Sequence, residues 1–224
     1  AVTEPNSGLD TSSLETKAER TNTGYTINGR KIWTTGAQRA DKILIIARTT
    51  PKDQCAKPYL GLSLFYTDLD PNKIERQPIP KMGRKAVECN MLYIDGLEVP
   101  KDHLIGEEGE GFKYLLQGLN PERVLFAVES IGLGFSALER AATYAKERVV
   151  FGRPIGQNQG IQHPLAKSWA ELSAAELLAY KAAGLYDAGQ DCGAEANSAK
   201  YLGTEAGFRA CETAVLTHGG MGYA

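Results

Sequence analysis

The spacing of apolar residues changes near Gly111, and this change limits the chain to a fold with a β half and a helical half. Before Gly111, the apolar runs are long enough for strands and too short for free-standing helices. Prolines separate these runs, as they do between strands. After Gly111, apolar residues recur three and four positions apart, which is the spacing of amphipathic helices. The pattern therefore predicts an α+β protein.

Residues 1–103 are predicted to form one β domain, either an antiparallel barrel or a sandwich-like arrangement. Asn28 and Gly29 lie between the β-like runs 25–27 and 31–33, and Asn-Gly is a strong signal for a type I′ hairpin turn. Further strands are predicted at 42–47, 62–66 and 91–94.

Residues 104–224 are predicted to form a helical domain. The first helix is predicted to begin with Asn120 as its N-cap and Pro121 at its first helical position. It should end near Arg148, where the apolar spacing stops.

Two more long helices complete the predicted helical domain. One covers about 161–188 with Pro164 in its first turn, and the other covers about 194–217 and stops at Gly219 and Gly220. Long helices with short connections favour an antiparallel bundle. Since three apolar faces leave one side uncovered, we expect the first three helices of an incomplete four-helix bundle.

Composition excludes several classes of function. The formal net charge of -2 argues against a nucleic-acid binder, which needs a basic face. No apolar run approaches the roughly 20 residues of a membrane span. The four cysteines are far apart and the three histidines have no ligand spacing, so free thiols and no metal site are expected.

Two segments carry a resemblance to a known family. Residues 1–10 read AVTEPNSGLD and residues 28–36 read NGRKIWTTG. Together they closely resemble the two flavin-facing segments of the acyl-CoA dehydrogenases, which desaturate an acyl thioester between its α and β carbons. The resemblance covers the whole chain and implies a middle β domain plus three bundle helices. A preceding domain and a fourth helix are then missing, so we expect a piece of a longer protein.

The resemblance implies FAD as the cofactor. A flavin ring needs hydrogen-bond donors along its polar edge and a flat apolar cover. The residues implied at the ring are Val2, Thr3, Gly8, Trp33 and Thr35. The two threonines match residues that bond the ring edge, and the tryptophan matches one that packs against the ring.

A second set of residues resembles the family segments at the other end of the cofactor. Arg148 matches an arginine that holds the FAD diphosphate of a neighbouring subunit, and the arginine fork suits that group. Phe151 and Gln159 match residues near the adenosine part, and Gly219-Gly220 matches a bare backbone turn that approaches the same cofactor. A homodimer or homotetramer is therefore expected.

Glu122 and Arg123 are the implied catalytic and substrate-binding residues. Dehydrogenation needs a carboxylate that takes the α proton. A minority of the family places this glutamate in an x-x-E-R sequence, which residues 119–123 match. Most members place it after G-G-x-G-[FY], beyond Ala224, and Glu122 is then only a helix-start residue. Arg123 matches an arginine that contacts CoA.

The implied partners are an acyl-CoA substrate and an electron-transferring flavoprotein, in the cytoplasm or alternatively the mitochondrial matrix. An acyl-CoA oxidase and a flavin monooxygenase share the fold and stay open as alternatives. A non-catalytic acyl-CoA-binding scaffold is the third alternative. Leu9 and Leu216 favour it slightly, because they replace polar residues common in the family.

Overall fold

The computed structural model describes all 224 residues, which divide into two compact units, 1–117 and 118–224. Strands dominate the first unit and helices the second, so the predicted α+β class is confirmed. A domain boundary between residues 103 and 104 stays a prediction.

Seven strands form one open sheet in the first unit. They are β1 Lys17–Arg20, β2 Gly24–Thr35, β3 Lys42–Arg48, β4 Leu62–Asp68, β5 Ile74–Pro78, β6 Cys89–Pro100 and β7 Leu104–Ile105. Their order is β5-β6-β2-β1-β3-β4-β7, and all neighbours are antiparallel except the parallel pair β1 and β3. The predicted barrel is wrong because β5 and β7 remain as edges, and the two residues of β7 are too few to close the sheet. The strands predicted at 42–47, 62–66 and 91–94 are confirmed as parts of β3, β4 and β6.

Asn28 and Gly29 lie inside β2, so the predicted type I′ hairpin turn is wrong. Strand β2 pairs with β1 on one side and β6 on the other, and its register against β6 shifts between Ile27 and Gly29. A Cβ on Gly29 would lie 2.5 Å from Thr16 Oγ1, so only glycine permits this close approach. The Asn28 side chain accepts a hydrogen bond from the Gly96 N–H at 2.7 Å. The Asn-Gly pair therefore marks an irregularity within a strand.

The core of the first unit lies on the apolar side of the sheet. Ile27, Ile45, Phe65 and Leu92 come from four different strands and are fully buried. Tyr25 packs edge-on against Phe65 with ring centroids 4.9 Å apart. Each such side chain contributes about 1.5–3 kcal/mol through burial, which fixes the register of the strands.

Three long helices follow the sheet. They are α1 Gly111–Glu147, α2 Gln159–Asp187 and α3 Gly193–His218, and a small hairpin of β8 Val149–Val150 and β9 Arg153–Pro154 separates α1 from α2. The second and third predicted helices are confirmed within two residues at each end. The predicted position of Pro164 in the first turn is wrong, because Pro164 lies beyond the first turn of α2. No helix is both long and apolar enough to cross a membrane.

The predicted start of the first helix is wrong. Helix α1 begins at Gly111 and continues through Pro121, so Asn120 is not an N-cap. Proline removes one backbone donor, and the helix tolerates this loss because its remaining hydrogen bonds and packing hold it. The Asn120 side chain instead accepts a hydrogen bond from Arg123 Nη1 at 3.0 Å. Glu122 is therefore well inside the helix and not in its first turn.

Small residues form much of the core of the helical unit. Ala175 and Ala179 of α2 and Ala206 and Ala210 of α3 are buried. Gly207 of α3 lies directly against α1, because a Cβ there would be 2.4 Å from the Ser130 backbone oxygen. The helices therefore approach each other closely enough for glycine to be required.

Candidate functional site

Trp33 is held in a backbone conformation that bulky residues rarely adopt. Its φ is +63°, and its side chain is 55% exposed. The pairing of β2 with β6 shifts between Lys31 and Thr34, which places Trp33 in the irregular part of the strand. A strained, exposed tryptophan contributes little to the core, and such strain is concentrated at functional sites.

The segment 2–8 forms a turn fastened to β2 beside Trp33. The Thr3 carbonyl accepts a hydrogen bond from the Ile32 N–H at 2.9 Å. The Val2 carbonyl accepts one from Lys31 Nζ at 3.0 Å. Gly8 lies close to Thr3, since a Cβ there would be 3.8 Å from Thr3 Cγ2. The structure thus brings Val2, Thr3 and Gly8 together and joins them to the strand that carries Trp33 and Thr35.

Thr35 lies at the end of β2 and has a cysteine neighbour that no sequence motif indicated. Its Oγ1 is 3.5 Å from Cys89 Sγ, and Lys81 Nζ is also 3.5 Å from that sulfur. The hydrogen bond from Thr35 and the charges of Lys81 and Arg84 lower the pKa of the Cys89 thiol.

A buried ion pair lies directly beneath the turn. Lys31 is fully buried, and its Nζ is 2.9 Å from Glu4 Oε1. The Glu4 carboxylate also accepts backbone hydrogen bonds from Glu15 at 2.6 Å and Thr16 at 3.0 Å. Burial lowers the pKa of Lys31 to about 8, although Glu4 opposes this shift. Burial raises the pKa of Glu4, but Lys31 and the hydrogen bonds outweigh it and lower the pKa overall.

The residues of the second set gather at one end of the helical bundle. Arg148 follows the last turn of α1, and its backbone carbonyl accepts a hydrogen bond from Ile155 N–H at 2.9 Å. Tyr144, one turn earlier, stacks on His218 with ring centroids 4.5 Å apart. Gly219 follows His218 and has a φ of +57°. The ends of α1 and α3 therefore lie side by side.

Phe151, Gln159 and Gly220 belong to the same end. Phe151 is at the tip of the β8–β9 hairpin, with a φ of +54° and a fully exposed ring. Gln159 is the first residue of α2, and Gly220 lies in the short turn that follows α3. Like Trp33, Phe151 combines an exposed aromatic ring with a strained backbone, which favours a binding role over a packing role.

Glu122 and Arg123 lie side by side in α1. The Glu122 side chain is exposed, whereas Arg123 is half-buried and held by its hydrogen bond to Asn120. The implied site residues thus fall into three sets. The ring set lies in the first unit and consists of Val2, Thr3, Gly8, Trp33 and Thr35. The second set, at the end of the bundle, and the pair Glu122 and Arg123 lie in the helical unit.

The ring set has the features that a flavin requires. It offers the exposed aromatic plane of Trp33 and the hydroxyl groups of Thr3 and Thr35. It also offers peptide groups that are fixed by hydrogen bonds. Thr34 Oγ1, beside Trp33, is buried without a hydrogen-bond partner. These residues therefore fit a flat cofactor with polar edge atoms.

Sequence reasoning missed Lys31 and Glu4. Both lie inside the two recognised segments, but the pattern alone gave no role to either. One signal was available. Lys31 lies in a predicted strand, and a lysine that is buried there needs a partner of opposite charge.

Two family models match the chain. Residues 1–97 match the model described as the acyl-CoA dehydrogenase middle domain, and residues 109–224 match the acyl-CoA dehydrogenase C-terminal domain. An acyl-CoA dehydrogenase of Bacillus subtilis is 40% identical over 224 residues, which are 100% of this chain and 58% of that protein.

Solved structures agree with these matches. Butyryl-CoA dehydrogenase from Megasphaera elsdenii superposes with a TM-score of 0.94 at 32% identity, and the electron transferring flavoprotein structure of Acidaminococcus fermentans with 0.93 at 33%. A structure described as the FAD complex of PigA superposes with a TM-score of 0.93 at 28% identity. Each comparison covers 100% of this chain and 58% of the other one. The chain therefore spans about 58% of the length of these proteins.

Proposed function

Because the chain belongs to the acyl-CoA dehydrogenase family, we propose that the protein containing it is an FAD-dependent enzyme that desaturates an acyl-CoA thioester between its α and β carbons. The observation that carries this proposal is Trp33, an exposed aromatic ring on a strained backbone beside the fastened turn of Thr3. Bound FAD would supply the acceptor for the hydride that leaves the β carbon.

The ring set would bind the flavin. In this proposal Thr3 and Thr35 bond its polar edge, Trp33 covers one face, and the Val2 and Gly8 backbone lines the turn. The Thr3 carbonyl accepts a hydrogen bond from the Ile32 N–H, which fixes the Thr3 backbone. This supports the assignment, since a hydroxyl donor on a fixed backbone loses little entropy on binding.

The second set would bind the diphosphate and adenosine parts of FAD. Arg148 would pair with the diphosphate, while Phe151, Gln159 and the backbone of Gly219 and Gly220 would contact the remainder. The shared position of these residues at one end of the bundle supports a single ligand. We infer that they serve a neighbouring subunit in a homodimer or homotetramer.

Glu122 would take the α proton, and Arg123 would bind the CoA portion. The exposed carboxylate is free to approach a substrate, and the hydrogen bond from Arg123 Nη1 to Asn120 Oδ1 fixes the guanidinium group of Arg123. A bound acyl chain would exclude water from around this carboxylate while the proton is transferred.

A test of this role uses Glu122→Gln in the full-length protein, with Glu139→Gln as a control at another exposed position of α1. Glu122→Gln should retain FAD and acyl-CoA binding and slow flavin reduction by about 10²–10⁴-fold, as loss of a general base does. Anaerobic stopped-flow absorbance measures that rate. A near wild-type rate would mean that another residue is the base.

The electron acceptor is proposed to be an electron-transferring flavoprotein. Support for this choice comes from the description of one matching structure, which names an electron transferring flavoprotein of Acidaminococcus fermentans. Rapid reoxidation of the reduced flavin by oxygen would instead favour an oxidase, and a protein that binds acyl-CoA but no flavin would favour the scaffold. The compartment, cytoplasm or mitochondrial matrix, stays a prediction.

A further inference from the structure

Lys31 is a fully buried charged residue in the sheet of the first unit. An isolated ammonium group in a protein interior is strongly destabilising, and a well-packed apolar side chain would stabilise the sheet at least as well. Lys31 nevertheless occupies the interior with two fixed partners, Glu4 Oε1 and the Val2 carbonyl. Its ammonium group therefore holds one segment of the chain against another.

The residues that Lys31 contacts lie on both sides of Thr3. Val2 precedes Thr3 and Glu4 follows it, and Ile32, the neighbour of Lys31, donates its N–H to the Thr3 carbonyl. Three consecutive residues of the turn are thus bound to two consecutive residues of β2. The Glu4 side chain is fixed in turn by the N–H groups of residues 15 and 16.

We propose that Lys31 and Glu4 are positioning residues, which hold the Thr3 backbone at the place and angle from which Thr3 bonds the flavin ring edge. The inference rests on the proposed FAD site. Neither side chain touches the ring in this account. They act through the backbone, as outer-shell residues do around other cofactors and metals.

A single substitution would confuse positioning with stability. Lys31→Met leaves the Glu4 carboxylate buried without its counter-charge, which destabilises the fold whatever the role of the pair. The double variant Lys31→Met/Glu4→Gln removes both charges at similar volume and avoids this problem. Thr67→Val is the control, because the Thr67 side chain is also buried in the sheet but bonds His103 Nδ1 at 3.0 Å and not the turn.

The experiment measures FAD affinity, visible circular dichroism and flavin reduction potential for the full-length wild type and both variants. The double variant should bind FAD about 10–100-fold more weakly, as outer-shell variants do, with altered dichroism and potential. Thr67→Val should unfold more easily, because it loses a buried hydrogen bond, but it should keep the wild-type dichroism and potential of its bound flavin. A double variant with wild-type dichroism and potential overturns the inference, even if its stability is reduced.

Hydrogen exchange in the wild type decides the matter even if the double variant does not fold. Addition of FAD should slow exchange at the amides of Glu15, Thr16 and Ile32 more than at Thr49, which bonds Gly61 elsewhere in the sheet. Equal slowing at all four amides overturns the inference while leaving the FAD site intact. A wild type that binds no FAD overturns the proposed function and this inference with it.

Discussion

At the scale of the residue, Cys89 provides a chemical probe of the proposed ring site. Its pKa is lowered by the hydrogen bond from Thr35 and by Lys81, so more thiolate is present near neutral pH than at an ordinary cysteine. We predict that iodoacetamide alkylates Cys89 before Cys55 or Cys211, which are similarly half-buried, and that the difference narrows as the pH rises toward 9. Peptide mass spectrometry over a time course measures each rate.

The same probe tests where the flavin binds. Since Cys89 Sγ lies 3.5 Å from Thr35 Oγ1, bound FAD should slow alkylation of Cys89 in the full-length protein and leave Cys55 unaffected. Unchanged alkylation of Cys89 in the loaded protein would argue against Thr35 as a ring contact.

The residues of the ring set illustrate what a sequence can predict about a site. Thr3, Trp33 and Thr35 were identified because their spacing matches a family pattern, and the structure brings their segments together. The sequence could not predict the positive φ of Trp33 or the burial of Lys31. The positive φ accompanies the register shift against β6, and Lys31 is buried by its contacts with Val2 and Glu4, so both depend on tertiary contacts between distant parts of the chain.

At the scale of the element, helix packing depends on glycines that no pattern distinguishes. Gly207 and Gly184 are both in helices, but only Gly207 faces another backbone, at 2.4 Å from its would-be Cβ to Ser130 O. We predict that Gly207→Ala destabilises the protein by about 1–3 kcal/mol through overpacking. Gly184→Ala should stabilise it by roughly 0.5–1 kcal/mol, since it adds helix propensity in open space.

Urea denaturation followed by far-ultraviolet circular dichroism measures both free energies of unfolding. The opposite signs are the decisive result, because the two substitutions have the same chemistry. Equal stabilisation by both would mean that α1 and α3 do not approach as closely as the structure shows.

Element boundaries were harder to predict than element types. Pro121 and Asn28-Gly29 are strong local signals, for a helix start and a hairpin turn, yet both lie inside continuous elements. In each case tertiary packing outweighs the local preference: α1 tolerates one missing donor, and β2 is held by partners on both sides. The long helices α2 and α3 were predictable because their periodicity extends over many turns.

At the scale of the whole molecule, the helical unit exposes several large apolar side chains. Each of its three helices contributes, and the exposed residues include Leu125, Leu133, Leu177, Phe208 and Leu216. Exposed apolar surface drives association, at about 25 cal/mol per Å² that is removed from water. We predict that these 224 residues, expressed alone, self-associate as concentration rises and show no acyl-CoA turnover.

Light scattering after size-exclusion chromatography measures the association. Leu177→Glu/Phe208→Glu should reduce it, while Leu9→Glu, at an exposed leucine of the other unit, should have no effect. A monodisperse, active monomer at all concentrations would refute the prediction.

The order of strands in the sheet has a consequence for biosynthesis. Strand β2 pairs with β6, so that Gly24 meets Pro100 and Thr35 meets Cys89, although the three strands β3, β4 and β5 are translated in between. At a synthesis rate of about 5–20 residues per second, one edge of β2 therefore waits on the order of seconds for its partner. During that interval its backbone donors and acceptors are open to other nascent chains. Early folding of this protein should accordingly depend on chaperones that bind the growing chain at the ribosome, and pairing of β2 with β6 should be its slow step.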